Sequence, residues 1–515
     1  MIKIVDLFAG PGGLGEGFAS FVDERTGDRP FSIIASVEKE PSAHSTLQLR
    51  AFFRKFSPED VPDEYYQYVR GEGITKGELF ELFPEQSAAA IEETLGEPKT
   101  LGVDNDFIEA KISEALQGNI DPVIVIGGPP CQAYSLVGRA RNMGNLSYVP
   151  EDDTRHFLYK EYLNILSLVS PDVFVMENVK GILSSKLNDE RIFPQILNDL
   201  RNPRSALGKE NSIGYRIYSL VVEAINPENP KYSNDRDFII KTEKFGIAQS
   251  RHRVILLGVR EDVDAAPAML TPMQAVNVEN VIGDLPILRS GLSKGDDNFK
   301  NWAATIQTLR HELVEQLNES PLTEVGTCIR RLSQEPMEEL DRGDQFIPTD
   351  FDHGEQLPEH LNAWLLDPRL NGVLNHQTRG HIREDLKRYL FSACFAEINN
   401  ERANPTPKAK EFPISLAPNH KNWGSGKFSD RFRVQAQGRY ATTVTSHISK
   451  DGHYFIHYDP SQCRSLTVRE AARIQSFPDN YFFEGNRTQQ YVQVGNAVPP
   501  FLANRIAHIV AEILS

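Results

Sequence analysis

An apolar run, Ile2–Leu7, passes without a spacer into Gly10-Pro11-Gly12-Gly13-Leu14-Gly15-Glu16-Gly17, and this junction constrains the fold more than any other part of the chain. A strand that turns at once into a helix needs backbone positions that glycine adopts at little cost. The sequence after it repeats that rhythm. Phe31–Val37 reads as a second strand, and the segment from Ser42 carries Leu47, Ala51, Phe52 and Phe56 at helical spacing. Pro122–Ile126, Asp172–Met176 and Val254–Val259 read as further strands, and Phe157–Val169 as a helix. Alternating strands and helices imply a doubly wound α/β sheet, mostly parallel, with helices on both faces.

The rhythm is interrupted twice. Residues 57–110 are rich in acid and read as an insertion. From about Asp262 to Arg464 the pattern gives way to prolines, histidines and charged clusters, which implies a second, smaller domain. Regularity returns at Thr467-Val-Arg-Glu470, a capping box, and Pro499-Pro500 opens a closing helix with Phe501, Leu502, Ile506, Ile509, Val510 and Ile513 on one face. The expected organisation is a first domain over 1–262, a second over 263–489, and a segment 490–515 that returns to the first.

Composition narrows the classes of function. No apolar run approaches the ~18 residues of a membrane span, and the amino-terminal residues lack the marks of a secretory signal, so the cytoplasm is the expected compartment. The four cysteines, Cys131, Cys328, Cys394 and Cys463, form no C-x-x-C pair, and no disulfide framework or metal site is expected. The formal charge of −16 counts against a nucleic-acid partner globally. Locally, 421–439 carries Lys421, Lys427, Arg431, Arg433 and Arg439 against Asp430, a stretch suited to a phosphate backbone.

Three constellations carry chemistry. Gly10, Gly12 and Gly15 satisfy G-x-G-x-x-G, and Glu38 ends the next strand, where it is placed to accept hydrogen bonds from ribose; a nicotinamide dinucleotide and an adenosyl cofactor fit equally. Gly127-Gly128-Pro129-Pro130-Cys131 presents a cysteine at the carboxyl end of a strand, on an approach stiffened by prolines. Glu177 ends another strand, and Gln249, Arg251 and Arg253 alternate toward one side before the next.

Together these resemble the cytosine-5 DNA methyltransferase family of bacterial type. Asp6–Phe18 is similar to its adenosylmethionine loop, Pro129-Pro130-Cys131-Gln132 to its nucleophile loop, and Glu177-Asn178-Val179 to its acid motif. Gln249-Ser-Arg251-His-Arg253 resembles its Q-x-R-x-R, Arg464–Pro478 its penultimate motif, and Gln493-Val-Gly495-Asn496-Ala-Val-Pro-Pro its last. Ala133-Tyr134-Ser135 departs from the family pattern after the nucleophile.

The resemblance implies a class I methyltransferase sheet with a target-recognition domain, S-adenosylmethionine as cofactor and double-stranded DNA as partner. It implies that Cys131 adds to C6 of a flipped cytosine, Glu177 contacts N3 and the amine, and Arg253 contacts O2, with Asn178, Gln249 and Arg251 completing the catalytic set. Asp6, Phe8, Gly10, Gly12, Gly13, Glu38, Pro130, Asn496 and Val498 are implied around the cofactor, and Asp104 at its adenine, with Asp106 as rival. Arg139 and Arg141 are expected to close over the base and its phosphates. A monomer is expected, serving restriction-modification or a related defence, with a separate cognate endonuclease as a possible partner. The rival readings are an RNA cytosine-5 methyltransferase, a dinucleotide-dependent oxidoreductase and a non-enzymatic DNA-binding module.

Overall fold

The structure, a computed structural model, describes residues 1–130, 158–187, 190–210, 213–349, 357–418, 423 and 430–515. Seven strands form the central sheet: β1 (Ile2–Leu7), β2 (Phe31–Val37), β3 (Val123–Gly127), β4 (Val173–Val179), β5 (Tyr215–Tyr218), β6 (Ile239–Lys241) and β7 (His252–Arg260). Their order is β2-β1-β3-β4-β7-β5, with β6 also on β7. The first four are parallel, and β7 runs against β4, β5 and β6. β5 and β6 were not legible as strands, because at four and three residues they are too short to show a period.

Alternate residues of each strand feed two cores. Ile4, Ile33, Ile124, Val175 and Leu257 face one side, and Val5, Val37, Val125, Met176 and Leu256 the other. A sheet covered on both faces needs such continuous apolar strands. On the first side lie α1 (Gly13–Ala19) and the closing helix α14 (Pro500–Ile513), which returns to the sheet as its apolar stripe requires. On the second lie α6 (Asn105–Ala115), α7 (Leu158–Val169) and α8 (Ile192–Arg201).

The acidic segment is shorter than its composition implies. α6 buries Ile108 and Ile112 in the sheet's second core, so its residues are part of the wound fold. Before it, α3 (Asp63–Arg70), α4 (Lys76–Leu82) and α5 (Pro84–Glu93) follow α2 (Pro41–Phe53). They build a separate core of Leu49, Phe52, Tyr65, Tyr66 and Leu79 with Leu370, Leu374 and Phe482 from far along the chain. Most acids of these helices face solvent, but Glu93 is buried and pairs with Arg54 and Lys55, both at 2.6 Å, while the aromatics join two regions.

A distinct core also exists in the second region. α9 (Phe299–Leu317) aligns Trp302, Ile306, Leu309, Leu313 and Leu317 on one stripe. It packs against α10 (Thr323–Gln334) and α11 (Arg383–Ile398), with Phe432, Val434 and Cys463. Trp302 also donates from its indole to Ser290 Oγ at 2.8 Å. Cys328, Cys394 and Cys463 are free and buried in this region.

Parts of the segment 263–489 share the core of the sheet. Val276, Val281 and Leu285 join the first core of the sheet, and so do Leu466, Ala471, Ala472 and Ile474 around α12 (Val468–Ile474). Thr467 caps α12 by accepting from Glu470 N at 3.2 Å, and the Glu470 carboxylate accepts from Thr467 N at 2.7 Å. Between them runs the hairpin of β8 (Gly343–Pro348) and β9 (Gly372–Gln377), and α13 (Arg487–Asn496) precedes the closing helix.

Candidate active site

The glycine-rich turn leaves β1 through left-handed positions at Phe8 (φ 56°), Gly10 (60°) and Gly12 (94°). A Cβ at Gly10 would meet no atom of the described residues within 4 Å, so among them the turn is open on that side. Glu38, past the end of β2, accepts from Gly10 N at 2.8 Å and Glu40 N at 2.6 Å. Burial pushes the Glu38 carboxyl up despite these bonds. Lys99 N donates to Glu38 O at 2.9 Å, which brings the loop toward Asp104 alongside; there the Asp104 carboxylate accepts from Thr100 N at 2.7 Å. Asp106 is exposed beyond it.

Gly13 and Gly17 have another cause. A Cβ at Gly13 would stand 2.4 Å from Val498 O, and one at Gly17 would stand 2.3 Å from Ala503 Cβ. They let α1 touch the last motif and α14, and so bring Val498 beside the turn, with Asn496 exposed at the end of α13. Tyr481, which no sequence signal marks, donates its hydroxyl to Pro11 O and backs the turn.

At the carboxyl ends of β3 and β4 the second constellation converges. In the antiparallel register Ile255 faces Glu177 and Arg253 faces Val179, so Arg253 and Glu177 are diagonal neighbours on one face. Arg253 Nε stands 2.8 Å from Glu177 Oε1, an ion pair without the alignment of a hydrogen bond. Gly128 lies against the same carboxylate: a Cβ there would be 2.8 Å from Glu177 Oε2. Asn178 Nδ2 donates to Pro129 O at 3.1 Å. The loop Gly127–Pro130 is thereby fixed beside Glu177 immediately before Cys131, which itself lies outside the described residues.

Gln249 and Arg251 do not share the face of Arg253. Gln249–Ser250 pairs with Ala441–Thr442, apart from the main sheet, and the chain bends before β7. Gln249 is fully buried; its amide donates to Gln475 Oε1 at 2.6 Å and Ile474 O at 3.1 Å, and its oxygen accepts from Val444 N at 3.0 Å. Gln475 passes the tie on to Val494 O at 2.7 Å. Arg251, also buried, donates to Val444 O and to Gly495 O, the latter at 3.1 Å. Both side chains therefore hold the last motifs against the sheet and are positioning groups in this geometry.

The basic stretch is likewise spent internally. Arg431 pairs with Asp451 at 3.1 Å and Arg433 with Asp430, while Arg439 donates to the carbonyls of Asn400, Arg402 and Ala403 that follow α11. Arg139, Arg141, Lys421 and Lys427 lie outside the described residues. No metal-binding group of three or more His, Cys, Asp or Glu occurs among the described residues, and no helix there is long and apolar enough to cross a membrane.

A class I methyltransferase sheet that joins a glycine turn and strand-end acid to a Gly-Gly-Pro-Pro loop beside a Glu–Arg pair has the architecture of a DNA cytosine methylase. The profile of the family described as C-5 cytosine-specific DNA methylase matches residues 99–512, and the chain belongs to that family. Type II methyltransferase M.Bpa9945I of Bacillus paralicheniformis is 32% identical over 99% of both chains. Type II methyltransferase M.AgeI of Thalassovita gelatinovora is 25% identical over 100% of both. Among solved structures, a putative DNA modification methyltransferase encoded within an E. coli prophage aligns over 100% of this chain and 99% of its own with a TM-score of 0.50 at 19% identity, which shows the fold.

Proposed function

We propose that the chain methylates C5 of a flipped cytosine in one short sequence of duplex DNA, with S-adenosylmethionine as donor, as the modification arm of a type II restriction system. The observation that carries the reading is the convergence of Glu177, Arg253 and the Gly127–Pro130 loop at one rim of the sheet. The system assignment follows the relatives, which are named type II methyltransferases. Bound there, the cofactor supplies a methyl group on a sulfonium.

The residues divide the work. Cytosine C5 becomes nucleophilic only after something adds to C6, and a thiolate does this. Cys131 Sγ bonds to C6, C5 takes the methyl, the C5 proton leaves to solvent, and the Sγ–C6 bond breaks to release 5-methylcytosine and Cys131. Glu177 holds N3 and the amine as charge moves into the ring, and Arg253 holds O2 while orienting Glu177. Glu38 suits the ribose hydroxyls, because its buried carboxylate is already aimed at the turn by Gly10. Gly10 leaves room at the methionine end, with Phe8 and Gly12 beside it and Asn496 and Val498 across from them, and Asp104 faces the adenine. The region with its own core, about 290–463, reads the target sequence.

Expression in a methylation-free bacterial host, followed by conversion sequencing, tests the reading. Wild-type protein is expected to leave 5-methylcytosine in one sequence context and Cys131→Ala none. Unmodified DNA with methylated transfer RNA would overturn it.

A further inference from the structure

Of the sequence-marked basic residues, the described Arg431, Arg433 and Arg439 are held by internal partners, and three other cations lie close together without a carboxylate. Arg379, between β9 and α11, donates to Ile448 O at 2.7 Å and Lys450 O at 3.1 Å, and its guanidinium lies 4.4 Å from the centre of the Tyr491 ring. Arg487, the first residue of α13, donates through Nη1 to Thr378 O at 2.6 Å. Lys450 is exposed at the end of the turn Ser446–Ser449. Among the described residues no carboxylate pairs with any of the three. The nearby acids are engaged: Asp297 holds Arg289 and Arg342, at 2.6 and 2.7 Å, and Asp451 holds Arg431 at 3.1 Å and faces His453 at 3.5 Å. Arg342 shares the Thr378 carbonyl with Arg487, so it adds to the crowding while carrying its own counter-charge.

Crowded like charges cost energy unless an anion joins them. In a chain with a formal charge of −16, Arg379 stands beside both Lys450 and Arg487, so three cations without a carboxylate are neighbours. Their position names the anion. The segment Val444–Lys450 that Arg379 grips is the one that Arg251 ties beside the catalytic strand, and Ser446 N lies 2.2 Å from where a Cβ of Gly495 would be. α13 runs from Arg487 to Asn496 at the cofactor turn. Its ten residues span about 15 Å.

We propose that Arg379, Lys450 and Arg487 form a binding site for the phosphate backbone of duplex DNA; this rests on the reading of DNA as substrate. The site carries no sequence information. It holds the duplex in register while other side chains read base edges.

Fluorescence anisotropy with a labelled duplex of arbitrary sequence, titrated over a range of KCl concentrations, tests it. For Lys450→Gln and for Arg487→Gln the slope of log affinity against log salt is expected to fall by about 0.9 each, with weakening uniform across sequences. Lys111→Gln, on α6, should keep the wild-type slope. Lys450 has no side-chain partner among the described residues, so its variant reports on binding even if Arg487→Gln folds poorly. Wild-type slope and affinity in both variants would overturn the site, as would a loss confined to RNA. Wild-type protein that shows these slopes yet methylates nothing would count against the reaction proposed above and leave the phosphate site supported.

Discussion

Asp6 ends β1 fully buried, with neither carboxylate oxygen hydrogen-bonded among the described residues. Burial pushes its carboxyl from 3.8 up to about 8, with Arg54 opposing. A raised pKa in the folded state means that Asp6 contributes stability below pH 3.8, and that this contribution is lost as pH rises through about 8. Asp6→Asn is therefore expected to raise Tm relative to wild type at pH 8 by at least about 3 °C, near one kcal/mol, and to show little gain at pH 4. An equal shift at both values would mean that Asp6 is not protonated in the fold. Glu177 and Arg253 were legible as candidates because each stands at a strand end. Alternation also put Gln249 and Arg251 on the face of Arg253, but alternation places side chains only while the strand stays straight, and this one bends before β7.

At the scale of elements, the turn and α1 show how one glycine-rich motif serves two needs. Gly10 combines a left-handed φ with open space, while Gly17 lies where a Cβ would be 2.5 Å from Pro500 O. Gly17→Ala should lower the unfolding free energy in urea by about 1–3 kcal/mol through overpacking. Gly10→Ala, which meets no atom of the described residues, should weaken calorimetric affinity for S-adenosylmethionine by at least about tenfold, near 1.4 kcal/mol, while unfolding closer to wild type than Gly17→Ala does. The opposite ranking in urea would sink the division of labour. From the sequence the glycines formed one cofactor loop; only the approach of α14 separates those that face the turn from those that face a helix.

Across the whole molecule the acidic helices act as a brace. Arg50 on α2 donates to Glu16 Oε1 and Oε2 at 2.6 and 2.9 Å and to Asn480 Oδ1 at 2.9 Å. Asn480 donates to Asp367 at 2.8 Å, and Asp367 also accepts from Tyr66 on α3 at 2.8 Å. Burial alone would raise Glu16, but Arg50 and Arg54 outweigh it and hold the carboxyl at about 2. A depressed pKa contributes stability above 4.5 that is lost as pH falls through about 2. Arg50→Ala should cost about 3 kcal/mol at pH 7, because it strips a partner from a buried charge, and urea unfolding should show that difference shrinking toward pH 2. A constant difference would argue against the ion pair as its source.

The strand–turn–helix rhythm, the order of the motifs and the identities of Cys131, Glu177 and Arg253 depend on neighbours in the chain, and the sequence by itself determined them. Tertiary structure alone decided the rest. Gln249 meets Gln475 across 226 residues, and Tyr481 reaches Pro11 across 470. Arg431 and Arg433 find carboxylates and Arg439 backbone carbonyls, while Arg379 and Arg487 are held by carbonyls alone and the Lys450 ammonium has no partner among the described residues. Periodicity encodes which face of an element is apolar; it carries no record of which distant backbone carbonyl or carboxylate will arrive to satisfy a charge.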